Sequence, residues 1–479
     1  MTRPAARLER ILGDRRTFVT LIVLNVLVAV GIMWASRATI LSDTWSYLAL
    51  AEGILHGEYS MWWQLDQDYP DTFRTPGYPL LIAFMITVFG TWKSTLILQF
   101  ILYWLALYFT LRTMARFDVR RSVQSLFLLL LLPMVNMPYY ISQLYTEVPV
   151  LAAIAGALFL GTGPNRHNWK TSVALGLLFG FMFQCKPVFL LFPLFYAAAA
   201  LAFDRHRVAR LGNGLMLVTF ACTVLPFAFW NLRNHGVFKA TTLESAGSYM
   251  HIGYWGGKIP GYTDRFYLHN FMGDEVVRFV PENEIPGYIA DYEQEWTGFN
   301  EVLDPLLTPK DTIMWEAAKT REHAVERTHN TAYTLKREEL LFRSTMDHYW
   351  SDPWYVFKYK LYSAIRLWVI GVQKGEFQKA SIGGKVQMIY ATVSTAVVFL
   401  LALIVLPLAY RRTFISLRTT WPFLVYIVYF GVMHVPFTIQ ARYTTSVRFV
   451  LFALMALAIG GLLWGKREKG SDGSITTDA

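Results

Sequence analysis

Ten apolar runs almost free of charge set the class of this chain before any motif is considered. They lie at 17–36, 94–111, 122–141, 145–162, 171–185, 187–203, 212–233, 386–410, 421–437 and 446–464. About 17–25 apolar residues suffice to cross the hydrocarbon core of a bilayer. The expected fold class is therefore all-α and polytopic: about ten transmembrane helices, juxtamembrane amphipathic helices and an extracytoplasmic α-rich or mixed segment. Composition points the same way. Of 479 residues, 54% are hydrophobic and 16% charged, against about a quarter charged in soluble domains, so the apolar excess must face lipid. The formal charge of +10 does not imply nucleic acid, because the basic residues sit in short clumps beside apolar runs. That distribution orients a membrane protein. Cys185 and Cys222 both lie inside apolar runs, with no disulfide framework and no metal-binding spacing. The run from Thr17 to Ala35 is too long for a signal-peptide core and reads as a retained span.

Loop charge supplies the topology. Arg3, Arg7, Arg10, Arg15 and Arg16 precede the first run, and Arg112, Arg116, Arg120 and Arg121 follow the second. Arg166 and Lys170 follow the fourth, Arg205, Arg207 and Arg210 the sixth, Arg411, Arg412 and Arg418 the eighth, and Lys466, Arg467 and Lys469 the last. All fall on one side only if Gly77–Gly90 does not cross. At about fourteen residues it is short for a span, so an interfacial or re-entrant helix is expected, with a short crossing as the alternative. Both termini are then cytoplasmic. The chain divides into a transmembrane module, 1–234, whose first external loop is 37–93; an extracytoplasmic segment, 235–385; C-terminal helices, 386–465; and a disordered tail, 466–479. Within the external segment, 354–371 reads as an amphipathic helix on the membrane surface. No N-x-S/T sequon occurs, which leans toward a bacterium and its inner (plasma) membrane.

Between Arg37 and Pro76 the first loop carries six carboxylates against two arginines. Its apolar period, Trp45, Leu48, Ala49, Ile54 and Leu55, reads as a helix on the bilayer surface with Asp43 in its first turn. Ionisable residues at a bilayer are costly and ask for a reason. Several converge on the external face once the topology is drawn: Asp43 and Arg74 in the first loop, Tyr145 and Glu147 opening the fourth run, and Lys186 in the turn after the fifth. Arg233 and Asn234 close the seventh, and Arg442 and Tyr443 precede the last. Lys186 and Arg442 break the charge rule, and a lipid phosphate or pyrophosphate is the natural anion for them. Plainer roles stand beside these. Asp43 suits a helix N-terminus with Ser42 as cap, Glu147 suits an internal pair with Lys186, and arginines at span ends often reach for headgroups. His251, in SAGSYMHIGYW, reads as a surface histidine near the substrate rather than a metal ligand.

Taken in order, DTWSYLALAEGILHGEY, RTPGYPLL with its following FG, YTEVP, CKPVFLLFP, PFAFWNLRNHGVF with ESAGSYMHIG, and the late ARY resemble the GT-C membrane glycosyltransferases. The nearest branch holds the lipid A aminoarabinose transferase and the protein O-mannosyltransferases, and the resemblance spans nearly all of 15–465. It implies transfer of a sugar from a polyprenyl-phosphate donor to a lipid, glycan or protein acceptor at the extracytoplasmic face. It implies Asp43 as the catalytic carboxylate and Lys186, Arg74 and Arg442 as holders of the donor phosphate. Substrate-binding or orienting roles fall to Glu147, Tyr145, Tyr443, Arg233, Asn234 and His251. No cofactor is assigned; a divalent metal is the one candidate, and Thr44, where many relatives carry a second acid, weighs against it. Two other functions are carried beside this one: a polyprenyl-linked glycan transporter or flippase, and an oligosaccharide ligase or polymerase using a diphosphate carrier.

Overall fold

A computed structural model describes residues 3–465 apart from 37, 41, 67, 118, 204–206, 245, 260–279, 320–328, 373 and 438–440. The described residues form helices and turns, with no strand among them. The expected tail, 466–479, lies outside them.

The first part of the chain comprises α1 (Arg3–Gly13), α2 (Arg15–Ala35), α3 (Ser42–Leu55), α4 (Gly77–Phe89), α5 (Ser94–Arg116), α6 (Arg121–Leu131), the short α7 (Asn136–Tyr139), α8 (Glu147–Gly161), α9 (Trp169–Cys185), α10 (Phe192–Phe203) and α11 (Arg207–His235). A polar stretch follows with α12 (Ala246–Trp255), α13 (Ile285–Leu303), α14 (Pro309–Lys319), α15 (Thr331–Ser351), α16 (Pro353–Arg366) and α17 (Lys374–Lys379). The chain closes with α18 (Ile382–Arg411), α19 (Leu417–His434) and α20 (Arg448–Trp464).

Five helices are long and apolar enough to cross a membrane, and a sixth span is added if the bent pair 121–131 and 136–142, which turns by 66°, counts as one. This is the architecture of an α-helical membrane protein. The long helices wear their apolar side chains outward: α2 exposes Val19, Val23, Leu27 and Val30, and α18 exposes Val386, Val393, Val397 and Leu400. In water such faces would cost free energy; against lipid they are the solvent-facing surface. At the centre sits α8, buried almost along its whole length between α5 and α9. Small residues let the neighbours close up. A Cβ on Gly176 would lie 2.6 Å from the Met216 carbonyl oxygen, so α9 and α11 can pack this tightly only with glycine there.

The helix α4 is short and apolar, about 20 Å long for 13 residues. It packs beside the first two turns of α5. Tyr78 donates to Gln99 Oε1 at 2.7 Å, and Ser94 donates to the Met85 carbonyl at 3.2 Å. Gly90, at φ 73° in the left-handed region, turns the chain between them.

The two ends of the bundle differ. At one, α1 straps α6 and α20: Ser125 donates to the Leu12 carbonyl at 2.6 Å, Trp464 to that of Ala5 at 3.1 Å, and Arg120 pairs with Glu9. At the other, the first loop and the polar stretch close into one cap. Met61, Trp62, Tyr69 and Phe73 from the loop pack against Met314 and Ala318 of α14, each large side chain worth about 1.5–3 kcal/mol on burial. Backbone bonds add to this, with Leu243 N–H on the Thr72 carbonyl at 2.9 Å. The amphipathic segment expected at 354–371 is α16. It buries Tyr355, Tyr359 and Ser363 and turns Trp354, Phe357, Leu361 and Ile365 outward in a single stripe that continues Trp350 of α15.

Candidate functional site

Asp43 stands in the first turn of α3, at the cap end of the bundle. The turn is held by Thr44, which donates to the Thr39 carbonyl at 3.0 Å, and by Ser46, which donates to that of Asp43 at 2.8 Å. Residue 39 is tied in turn to the start of α8, its N–H and hydroxyl reaching Gln143 Oε1 at 3.2 and 3.0 Å. The side chain of Ser42, expected as a cap, lies outside the described residues.

Arg74 reaches Asp43 from a turn built by Asp71. One oxygen of that buried carboxylate accepts the N–H groups of Phe73 at 3.0 Å and Arg74 at 2.6 Å, while Tyr59 donates to the Arg74 carbonyl at 2.9 Å. The guanidinium donates to Asp43 Oδ1 at 2.5 Å, to Ser46 Oγ at 3.2 Å and to Tyr47 at 3.4 Å, and lies over the Phe73 ring at 4.0 Å. Arg442 arrives from the far end of the chain, in the 3₁₀ turn ahead of α20, and donates to Asp43 Oδ2 at 2.5 Å. Its guanidinium lies 4.9 Å over the Tyr145 ring. Each oxygen of Asp43 thus carries one arginine.

A second pair adjoins the first. Glu147, in the first turn of α8, accepts from Lys186 Nζ at 3.1 Å. Gly77 makes this neighbourhood possible: a Cβ there would lie 2.6 Å from Gln184 Cβ, so only glycine lets the start of α4 sit on the end of α9. Tyr443 spans the two pairs, with Lys186 and Arg442 each 5.9 Å from its ring centre. Three cations (Arg74, Lys186, Arg442) face two carboxylates (Asp43, Glu147), leaving one formal positive charge. About a quarter of the Asp43 side chain, 26%, remains accessible, enough for a ligand to touch it. Burial pushes its carboxyl up, but Arg74 and Arg442 together outweigh that and hold it well below the usual carboxylate range.

The structure thus gathers Asp43, Arg74, Tyr145, Glu147, Lys186, Arg442 and Tyr443. It does not gather Arg233 and Asn234. Both are exposed near the end of α11, and Asn234 donates only to the Trp230 carbonyl, at 2.9 Å. Helix phase is the reason: at about 100° per residue, 231 and 235 share the face opposite 233. Those buried neighbours brace the site instead. Asn231 donates to the carbonyls of Lys239 and Thr241, and His235 Nε2 meets the Asp71 carbonyl at 3.2 Å. Nor is His251 a surface residue at the site. It is buried in the cap, 3.1 Å from Glu295 Oε2, among Tyr292, Trp296 and Phe299. On the same helix Tyr249 is the residue within electrostatic range of Arg74. Tyr47 was also missed, although its place four residues after Asp43 on a helix puts it on the same face.

The donor set does not suit a metal. Both oxygens of Asp43 are taken by guanidinium groups, and among the described residues no three histidines, cysteines or acids come together to hold one. Comparison with protein-family models, with curated proteins and with solved structures gave no match for this chain.

Proposed function

We propose that the chain is an inverting GT-C-type glycosyltransferase of the bacterial inner membrane. It moves a sugar from a polyprenyl-phosphate donor to a lipid, glycan or protein acceptor at the extracytoplasmic face. The observation that carries this reading is a partly accessible carboxylate between two arginines, in a cluster with one surplus positive charge. It lies at the bundle end away from α1 and its arginines. Basic residues mark the cytoplasmic side of a membrane protein, so that contrast supports cytoplasmic termini and an external site.

The chemistry uses the residues as follows. The acceptor hydroxyl attacks the anomeric carbon from the face opposite the lipid phosphate. Its oxygen bonds to that carbon, the bond to the phosphate oxygen breaks with its electron pair, and the hydroxyl proton passes to Asp43. Charge grows on the departing phosphate, where Arg74 and Arg442 offer preorganised donors. Lys186, already paired with Glu147, adds to the field from one side. Glu147 and Tyr145 orient the acceptor. Direct displacement inverts the anomeric centre.

The test is purified protein with a radiolabelled polyprenyl-phosphate sugar and an envelope extract as acceptor source. The expected result is transfer of label with inverted configuration, lost in Asp43→Asn. Movement of intact donor across proteoliposomes without cleavage replaces this reading with transport.

A further inference from the structure

A base works best when its pKa lies near the working pH and its lone pairs face the proton it takes. Asp43 meets neither condition in this structure. Each of its oxygens is 2.5 Å from a guanidinium, and the pair of arginines holds it ionised and weakly basic. Each arginine also has a contact apart from Asp43 that helps fix its place. Arg74 is gripped by Ser46 and Tyr47 and rests on Phe73, and Arg442 lies on Tyr145. What holds a carboxylate between two guanidinium forks holds a phosphate at least as well, because the geometry matches and the charge is greater.

We propose that Asp43 is the resident anion of the phosphate site, displaced from Arg74 and Arg442 by the donor's phosphate and thereby freed to act as base. This rests on the sugar-transfer reading above. In the exchange, phosphate oxygens replace carboxylate oxygens on the two guanidinium groups and no covalent bond changes. Sugar transfer then follows, with the acceptor's proton going to the released Asp43. The phosphate product keeps the arginines until it departs; Asp43 then gives its proton to water and returns between them. A chain without donor therefore carries no active base, and the same two arginines report donor arrival to the residue that must act next.

Loss of Asp43 acts opposite in sign to loss of an ordinary binding residue. Removing the resident anion removes a competitor, so Asp43→Asn binds a polyprenyl phosphate more tightly than the unmodified chain. The measurement is equilibrium binding of a short polyprenyl phosphate to the full chain in detergent. An affinity gain of about tenfold or more, near 1.4 kcal/mol, is expected. Equal or weaker binding by Asp43→Asn overturns the exchange while leaving sugar transfer standing. Absence of binding in both proteins sinks the donor assignment, and the exchange with it. If the variant does not fold, carbodiimide labelling of the unmodified chain read by peptide mass spectrometry decides. Asp43 labels faster with the lipid phosphate bound if it has been released, and protection or an unchanged rate overturns the exchange.

Discussion

Asp43 and Glu295 are both largely buried carboxylates held by donors on both oxygens, yet they are built for different tasks. Glu295 is a cross-link. Its Oε2 accepts from Trp255 at 3.0 Å and faces His251 Nε2 at 3.1 Å; its Oε1 faces His348 Nε2 at 3.2 Å and accepts from Ser344. Those partners come from α12 and α15, which Glu295 joins to its own α13. Among the described residues the Asp43 carboxylate has two partners, both permanently cationic, drawn from positions 74 and 442 at opposite ends of the chain. Its side chain is 26% accessible against 14% for Glu295. A carboxylate saturated by four donors within one subdomain ties helices together. One shared by two arginines beside a surplus positive charge can exchange partners with an incoming anion.

The sharpest way to break this contrast is to neutralise each acid in turn. Asp43→Asn is expected to lower turnover by roughly 10²–10⁴-fold, the usual worth of a general base, while shifting the melting temperature less than the second variant does. Glu295→Gln is expected to do the reverse. Losing a charged acceptor among four donors costs about 1–3 kcal/mol. Hydrogen exchange should quicken across α12, α13 and α15, with turnover per folded molecule preserved. If Glu295→Gln instead abolishes transfer in a cap that stays protected, the division of labour is wrong.

Acidification probes the same division. Burial raises the Glu295 carboxyl, but the hydrogen bonds from His251 and His348 outweigh it and bring the group from 4.5 down to about 2. A folded-state pKa below the unfolded one stabilises above the unfolded value and is lost as pH falls through the folded one. The cap should therefore lose protection progressively between about pH 4.5 and about pH 2. Glu295→Gln should flatten that profile, which hydrogen exchange in α12 and the fluorescence of Trp255 and Trp296 can follow. An unchanged profile in the variant would assign the acid sensitivity to other carboxylates.

How far the site could be read beforehand depended on the kind of signal. Asp43, Arg74 and Arg442 are ionisable residues at the ends of apolar runs, where burial and topology leave few reasons for charge. Their shared face therefore followed from topology without knowing any contact. Partner choice followed for one pair and not for the other: the internal pair of Glu147 with Lys186 was among the plainer expectations, whereas the arginines on Asp43 were not expected. Lys186, expected beside Arg74 and Arg442 as a phosphate holder, is bound to Glu147, and Asp43 is met by both arginines. Distances across hundreds of residues are not encoded in spacing, and the same holds for the cap. Nothing periodic links Trp62 to Met314 or Asp71 to His235, although these contacts aim Arg74. The strap formed by α1 was likewise hidden, its arginines having been read only as a topological clump.

Arginine geometry offers a smaller test on the Asp43 side of the comparison. Arg442→Lys keeps the charge but loses the planar fork and its stacking on Tyr145. A rise in donor KM of about tenfold, with a lesser change in kcat, is expected for the loss of one such contact. An equal fall in kcat with KM unchanged would move Arg442 from holding the ground-state phosphate to stabilising only the transition state.

The smallest effect belongs to the turn of α11 where sequence reading and structure part. Arg233 and Asn231 lie two residues apart, one exposed and the other buried with its amide on the carbonyls of Lys239 and Thr241. Arg233→Gln is expected to leave turnover and melting within about experimental error, since exposed substitutions away from special features rarely exceed 0.5 kcal/mol. Asn231→Ala takes the amide donor from two half-buried carbonyls and should destabilise by about 1–3 kcal/mol. Because Asn231 braces the segment that runs on to Leu243 and the Thr72 carbonyl, its loss also loosens the turn that carries Arg74. Donor KM should therefore rise with Asn231→Ala and stay put with Arg233→Gln. A reversed order would mean that α11 presents its other face to the site, and the phase argument that removed Arg233 from it would fail.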